Sequence, residues 1–336
     1  MITRVARRAT RPTRSQRIPE RRAGGAIRTA FAAESSSPAL RFAPLKQRTM
    51  TVSTADGRAI RVVVAGAEHG TPVVIHHGTP GSAYPYPPFV EAAAQRGLRH
   101  VEYSRPGYAG SDRHPGRRVA DCALDVAAIL DALGAERCYT HGASGGGPHA
   151  LACAALLGER VIKVASIAGC APWPADGLDW LEGMGESNKA EFNAAVEGEA
   201  ALARYLEPDA AELAGVTGEQ LAAALGDLVS DPDRAALTGE FAAHAAARIR
   251  IAVDAGIWGW LDDDLAFTKP WGFPLKEIAA PVTVWHGTED RFVPFSHGVW
   301  LAQNMPGAHR ALRTGEGHLS LAVGSYAEIL DDLVAI

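Results

Sequence analysis

Short apolar runs and longer segments with apolar residues at every third or fourth position alternate along most of this chain. Strands are predicted for the short runs at residues 73–77, 137–141, 161–167, 281–285 and near 311–313. The segment 147–157 has the length and composition of a helix. This alternation predicts an α/β fold in which helices flank a mostly parallel central sheet.

A long helical segment interrupts the predicted sheet. Between residues 171 and 278, apolar residues recur at intervals of three and four over 189–206, 210–229 and 234–258. We therefore expect a core formed by residues 49–170 and 279–336, with a helical cap over 171–278. A chain of 336 residues with 47% apolar content is large enough to bury such a core.

The sequence Gly-Ala-Ser-Gly-Gly at residues 142–146 is the strongest candidate for chemistry. It has the pattern G-x-S-x-G and lies between a predicted strand and a predicted helix. A serine in such a sharp turn is exposed for attack, and small residues on both sides avoid a clash. We predict Ser144 as a nucleophile, supported by Gly142 and Gly146.

Two later loops offer the partners that a serine nucleophile needs. Asp290 follows the strand at 281–285, and His318 stands in a glycine-containing loop before the last helix. His318 would act as the base, and Asp290 would orient the imidazole and stabilise its charged form. Glu289 adjoins Asp290, and spacing alone does not separate the two carboxylates.

An oxyanion that forms during attack needs two N–H donors. The backbone of Gly145, directly after the nucleophile, supplies one of them. The other is expected from the loop after an early strand. The loop at 77–81 has that position, and Thr79 would give the second N–H group.

These segments resemble the α/β-hydrolase superfamily, in the capped branch that includes proline iminopeptidases, esterases and cofactor-free haloperoxidases. The loop His-Gly-Thr-Pro-Gly at 77–81 is similar to the H-G-G-P-G of iminopeptidases, and 105–112 resembles the loop after an early sheet strand. The order Ser144, Asp290, His318 is that of the superfamily. The resemblance implies that His77 and Gly78 support the oxyanion loop.

The resemblance also implies an activity. It indicates a serine hydrolase that cleaves a small carboxylic ester, thioester or amide through an acyl-enzyme, without a cofactor. Ala143 and Thr79 depart from the iminopeptidase pattern, so an aminopeptidase of that type ranks below ester hydrolysis. A ligand-binding or receptor-like protein on the same fold is the alternative from another class.

Aromatic and acidic residues of the predicted cap have two possible roles. Substrate-binding candidates are Trp173, Trp180, Trp258 and Trp260, although packing of the cap onto the core explains tryptophans equally simply. The aspartates at 262–264 could bind a substrate amine, as cap carboxylates do in iminopeptidases. For these aspartates we favour a solvated helix end.

Charge divides the chain into two unlike parts. The first 49 residues hold twelve Lys or Arg against two Glu, a net charge of +10, whereas the remaining 287 carry −15. Residues 1–48 are therefore predicted to be a disordered basic tail. Because Met50 directly precedes the first predicted strand, we hypothesise that translation starts there. The acidic body argues against a nucleic-acid partner.

Other residue patterns exclude further classes. No apolar run reaches the ~18 residues of a membrane span. The four cysteines lack paired C-x-x-C spacing and are expected to be buried thiols of a cytoplasmic protein. The twelve histidines show no metal-ligand spacing, so no metal site is predicted.

Overall fold

The computed structural model describes residues 46–335, and these contain one eight-stranded sheet flanked by helices. The strands are β1 (Gln47–Ser53), β2 (Ala59–Gly66), β3 (Thr71–His76), β4 (Leu98–Tyr103), β5 (Cys138–Ala143), β6 (Val161–Ile167), β7 (Val282–Gly287) and β8 (His309–Arg313). The helices are α1 (Pro87–Gln95), α2 (Cys122–Ala132), α3 (Gly146–Leu156), α4 (Glu186–Glu197), α5 (Glu199–Leu213), α6 (Gly218–Ala224), α7 (Asp231–Ala236), α8 (Gly239–Val253), α9 (Trp258–Phe267), α10 (Phe295–Asn304), α11 (His318–Gly324) and α12 (Tyr326–Val334). The α/β fold and the predicted strands are confirmed.

The strand order fixes where a site can form. The sheet runs β1-β2-β4-β3-β5-β6-β7-β8, with β1 and β2 antiparallel to their neighbours and the other pairs parallel. The chain leaves β3 toward β4 on one side, whereas it leaves β5 toward β6 on the other. Ligands of open α/β sheets bind at such a switch point, beyond the carboxyl ends of the strands.

Both faces of the sheet are buried, and alternate residues of one strand pack on opposite faces. In β3, Val73 and Ile75 pack with α1 and α12, whereas Val74 packs on the opposite face with α2 and α3. A strand that is covered on both faces must be apolar throughout, which explains the unbroken apolar run in the sequence.

The segment between β6 and β7, residues 168–281, is called the helical insertion here. Three long helices were predicted for it, but the structure has six shorter ones, α4 to α9. Gly198 separates α4 from α5 with a φ of 118°, and Gly239 and Gly256 also have positive φ. Glycine adopts this conformation without steric cost, so it ends a helix that the apolar pattern alone would continue.

The amino-terminal predictions concern residues that are mostly outside the described part of the chain. The tail at 1–48 lies outside it except for residues 46–48, and Met50 lies within β1. Strand β1 starts at Gln47, three positions before Met50, and pairs there with Ala65. The start-site hypothesis stays a prediction. In residues 46–335, none of the helices has the length and hydrophobicity of a membrane span.

The three aspartates at 262–264 are buried, so the interpretation as a solvated helix end was wrong. Asp263 accepts hydrogen bonds from Arg105 and forms a 2.7 Å ion pair with Arg117, and all three side chains are buried. Burial alone would raise the pKa of Asp263, but the two guanidinium groups hold it well below its ordinary range. Arg105 and Arg117 follow β4, so their charges join the helical insertion to the sheet.

The two neighbouring aspartates have different partners. Asp262 forms a bidentate pair with Arg113, with N···O distances of 2.9 Å. Asp264 faces Glu191 of α4, and burial raises the pKa of Glu191 to about 7 and that of Asp264 above its usual range. These partners lie far away in the sequence, which is why the local charge run did not predict them.

We predict that Asp263→Asn destabilises the protein by about 3–5 kcal/mol, because two buried guanidinium groups lose their counter-charge. Asp262→Asn is the matched control, and we expect a cost of roughly 1 kcal/mol because its partner Arg113 has access to water. Urea unfolding at neutral pH measures both free energies. Equally small losses in the two variants would contradict this account.

Candidate active site

The turn between β5 and α3 contains Ser144, the predicted nucleophile. Its φ is 55°, in the left-handed region that residues with a side chain rarely adopt. The Ser144 N–H donates to the carbonyl of Ile167 at 2.9 Å, and its carbonyl accepts from Gly147 N–H at 2.8 Å. These hydrogen bonds hold the strained backbone in the crevice at the carboxyl ends of the parallel strands.

Glycine is required around Ser144 because no space exists for side chains. A Cβ atom on Gly142 would lie 2.0 Å from the carbonyl oxygen of Gly146, and one on Gly146 would lie 2.1 Å from that of His76. A Cβ on Gly145 would lie 2.3 Å from Thr79 Oγ1. The supporting role predicted for Gly142 and Gly146 therefore has a steric basis.

His318 and Asp290 are hydrogen-bonded to each other. Asp290 Oδ2 accepts from His318 Nδ1 at 2.7 Å, and Oδ1 accepts from the backbone N–H groups of Phe292 and Val293, each at 2.9 Å. The Phe292 ring also stacks on the imidazole, with 4.6 Å between centroids. The carboxylate and the ring are thus both fixed, and the Nδ1–H tautomer leaves Nε2 as the basic nitrogen.

The environment of His318 favours its protonated form. Burial lowers its pKa, but the charge of Asp290 and the hydrogen bond with it, together with the charge of Asp233, more than offset burial and raise the pKa above its ordinary value. Glu289, the alternative acid, is exposed and accepts from the Thr288 hydroxyl at 3.3 Å. The contact to His318 therefore distinguishes Asp290 from Glu289.

The loop after β3 lies directly beside the serine turn. A Cβ on Gly78 would lie 3.5 Å from Ser144 Cβ. His77 is buried, and burial together with Arg105 lowers its pKa well below the usual range. The neutral ring donates from Nδ1 to the Gly78 carbonyl at 2.7 Å and accepts at Nε2 from the Arg105 N–H at 3.1 Å. His77 thus braces the loop through both ring nitrogens.

Thr79, predicted for its backbone N–H, is anchored through its side chain. Its hydroxyl donates to Asp263 Oδ2 at 2.7 Å and accepts from Arg105 Nη2 at 3.0 Å. Arg105 also donates to the carbonyls of His77 and Gly78. Arg105 and Asp263 therefore fix the loop, and the sequence analysis did not assign them this role. In the sequence, Arg105 was visible only as the first residue of the 105–112 loop.

The four tryptophans predicted to bind substrate have packing roles. The indole N–H of Trp180 donates to the Ala171 carbonyl at 2.8 Å, and Trp173 packs edge-on against its ring. Trp260 donates to Glu191 at 2.7 Å. Trp258 is 44% exposed, and the Arg113 guanidinium stacks on its ring. These contacts favour the packing interpretation, and the substrate-binding role stays a prediction.

A different aromatic residue of the insertion approaches the turn. Phe267, the last residue of α9, has its Cζ atom 3.0 Å from where a Cβ on Gly145 would lie. Its ring also packs edge-on against His149, whose Nδ1 donates to the Gly145 carbonyl at 2.7 Å. No local pattern in the sequence distinguishes Phe267 from the other aromatic residues of the insertion.

One set of side chains in residues 46–335 has the chemistry of a metal site. The ligand atoms of His76, Cys122 and Cys153 lie within 4.8 Å of one another, and all three are buried. Each has a hydrogen-bond partner: Cys122 donates to the His149 carbonyl, Cys153 lies 3.6 Å from His76 Nε2, and His76 Nδ1 contacts Tyr103. Burial raises the pKa of Cys153 well above its usual range, which disfavours the thiolate that a metal binds.

Two curated proteins are similar to this chain over most of its length. The non-heme chloroperoxidase of Streptomyces lividans is 28% identical over 288 residues, which are 85% of this chain and 98% of that protein. The 2-hydroxy-6-oxononadienedioate/2-hydroxy-6-oxononatrienedioate hydrolase of Paraburkholderia phymatum is 27% identical over 254 residues, or 72% of this chain and 78% of that protein.

The fold is also found in solved structures, and a family model matches the sequence. An alpha/beta hydrolase fold protein from Nakamurella multipartita is 26% identical, with a TM-score of 0.59, and the likeness covers 85% of this chain and 99% of that one. The family model for the alpha/beta hydrolase fold matches residues 71–324. That match covers most of the chain and includes the serine turn, the loop after β3, Asp290 and His318. The chain therefore belongs to the alpha/beta hydrolase family.

Proposed function

We propose that this protein is a serine hydrolase that cleaves a small carboxylic ester, thioester or amide through an acyl-enzyme. The observation that carries the proposal is the buried pair of His318 and Asp290, 2.7 Å apart, at the same end of the sheet as a serine with strained backbone. Backbone strain of this kind persists mainly where function requires it, which supports an enzyme over a ligand-binding protein.

The first chemical step is attack by Ser144 Oγ on the carbonyl carbon of the substrate. His318 Nε2 takes the hydroxyl proton as the new C–O bond forms. The imidazole becomes positively charged, and the Asp290 carboxylate stabilises that charge through the Nδ1–H hydrogen bond. Because Asp290 is already held by two backbone N–H groups, little reorganisation is needed during this step.

The negative charge on the substrate oxygen would be stabilised by the backbone N–H groups of Gly145 and Thr79. Both belong to segments that are fixed before substrate binds, Gly145 by the serine turn and Thr79 by its hydroxyl contact with Asp263. Fixed donors stabilise a developing charge more strongly than water does, because they need not reorient.

Collapse of the tetrahedral intermediate completes acylation. The bond to the leaving group breaks, and His318 returns the proton to the leaving oxygen, sulfur or nitrogen atom. A water molecule then attacks the acyl-enzyme, with the same histidine as base, and the carboxylic acid leaves Ser144 with its hydroxyl restored.

The helical insertion is proposed to cap this site. Helix α9 contacts both segments of the oxyanion hole, through Asp263 at Thr79 and Phe267 near Gly145. A cap that touches these segments would limit the size of the acyl group, and the Phe267 ring would form part of an apolar acyl pocket.

A panel of p-nitrophenyl esters, a thioester and an aminoacyl amide tests the proposed reaction. The wild-type protein is expected to prefer a short-chain ester, and Ser144→Ala should abolish turnover because no nucleophile remains. Circular dichroism of the variant controls for folding. Unchanged turnover in Ser144→Ala would refute the assignment, and a preference for the amide would favour an aminopeptidase.

The choice between the two carboxylates is tested by a matched pair of variants. Asp290→Asn should lower kcat by about 10⁴-fold, because the amide no longer holds the required tautomer of His318. Glu289→Gln removes an exposed charge one residue away, so its kcat should stay within about twofold of the wild type. A larger loss in Glu289→Gln than in Asp290→Asn would move the acid role to Glu289.

The raised pKa of His318 sets the direction of the pH dependence. The base must be neutral, so kcat/KM should fall as the pH drops through that pKa and reach a plateau above it. The midpoint is expected above about 6.5, the ordinary value for histidine. A profile measured with a neutral ester gives this midpoint, and a value below that of free histidine would contradict the charge environment described above.

A further inference from the structure

A carboxylate of the helical insertion holds the backbone at His318. Asp233 of α7 is fully buried and accepts hydrogen bonds from the first three N–H groups of α11. Its Oδ2 accepts from His318 N at 3.1 Å, and its Oδ1 accepts from Leu319 N at 2.7 Å and from Ser320 N at 2.9 Å.

These three donors need a partner from outside the helix. The first N–H groups of a helix have no acceptor within it, and a side chain just before the helix usually supplies one. In α11 that position is Gly317, which has no side chain. The acceptor therefore comes from Asp233, 85 residues earlier in the chain.

The contact between Asp233 and the start of α11 is tightly packed on both sides. Ser230 Oγ donates to Asp233 Oδ2 at 2.9 Å, which orients the carboxylate. A Cβ atom on Gly317 would lie 2.4 Å from Asp233 Oδ1 and 2.4 Å from Ser230 Oγ. Only glycine at 317 allows α7 to approach α11 this closely.

We propose that Asp233 is a positioning residue for His318, through which helix α7 of the insertion controls the placement of the catalytic imidazole. The inference rests on the serine hydrolase function proposed above. Asp290 fixes the ring at Nδ1, whereas Asp233 fixes the backbone from which the ring projects. A shift of α7 would therefore move the imidazole relative to Ser144.

The charge of Asp233 provides a second, electrostatic signature. His318 is faced by Asp290 from the loop after β7, by His286 from β7 itself and by Asp233 from α7. On its own segment, Glu316 accepts from the Ser320 hydroxyl at 2.6 Å. Removing the Asp233 charge removes an attraction for the protonated ring, so the midpoint of the His318 titration should move to lower pH.

The test compares full-length wild-type protein with Asp233→Asn, Asp233→Ala and Asp231→Asn. Asp231 is an exposed carboxylate on the same helix and serves as the matched control. The steady-state rate with p-nitrophenyl acetate is measured against pH, the His318 ring is titrated by NMR, and thermal unfolding is followed for each variant.

We expect Asp233→Asn to lower kcat by about tenfold or more with a smaller change in KM, because the imidazole is misplaced. Asp233→Ala should lower kcat further, since no acceptor remains for the three N–H groups. The His318 titration and the acid limb of kcat/KM should both move to lower pH in these variants. Asp231→Asn should leave kcat, the acid limb of kcat/KM and the His318 titration unchanged.

Ester turnover and the His318 titration together distinguish failure of the proposed function from failure of the inference about Asp233. If the wild type hydrolyses no ester but the His318 titration moves in Asp233→Asn, the proposed function fails and the coupling to His318 stands. If kcat, acid limb and titration are unchanged in folded Asp233→Asn, the inference is overturned.

Ser230→Ala provides a milder variant if the Asp233 variants do not fold. It keeps the carboxylate but removes the hydroxyl that orients it. Because the charge of Asp233 remains, the His318 titration should stay close to that of the wild type, and a loss of kcat smaller than in the Asp233 variants would support the inference. A folded Ser230→Ala protein with unchanged kcat would overturn it.

Discussion

The crowded contact between the serine turn and the loop after β3 is the constraint on which the site depends. Ser144 has a φ of 55°, and its neighbours Gly142, Gly145 and Gly146 leave no room for a Cβ atom. A left-handed conformation costs roughly 1–2 kcal/mol for a residue with a side chain. The parallel strands on both sides and the hydrogen bond to the Ile167 carbonyl offset that cost and hold the serine in the crevice.

Buried carboxylates connect this turn to the rest of the molecule. Asp263 links the insertion to the loop at Thr79 through two arginines, and Asp290 fixes the ring of His318. Asp233 fixes the backbone of the same histidine. A buried charge is stable only when its partners are in place. These contacts therefore restrict the positions of the paired groups. The insertion therefore contacts both the loop at Thr79 and the backbone at His318.

The sequence predicted the features that depend on short-range patterns. The alternation of strands and helices, the glycine-rich serine turn and the loop at 77–81 are each readable within about ten residues. Asp290 was predicted in a loop at a strand end and His318 in a loop before a helix. The structure places His318 as the first residue of α11 and brings its ring into contact with Asp290. The family resemblance is confirmed by the match over residues 71–324.

Contacts between distant segments could not be predicted in this way. Arg105 and Asp263 are 158 residues apart, so the charge run at 262–264 showed no local sign of its partners. Asp233 gave no signal either, because the helix that it caps begins 85 residues later. The insertion helices were predicted too long, because apolar spacing continues across Gly198 and Gly239 although the backbone does not.

The most direct measurement of the central claim is covalent labelling of the full-length protein with a fluorophosphonate, followed by intact mass and peptide mapping. An activated serine reacts with this probe, whereas an ordinary serine does not. We predict one adduct, on Ser144, that is absent after denaturation and strongly reduced in His318→Ala. No adduct on the folded protein, or an adduct on another residue, would contradict the assignment of Ser144 as the nucleophile.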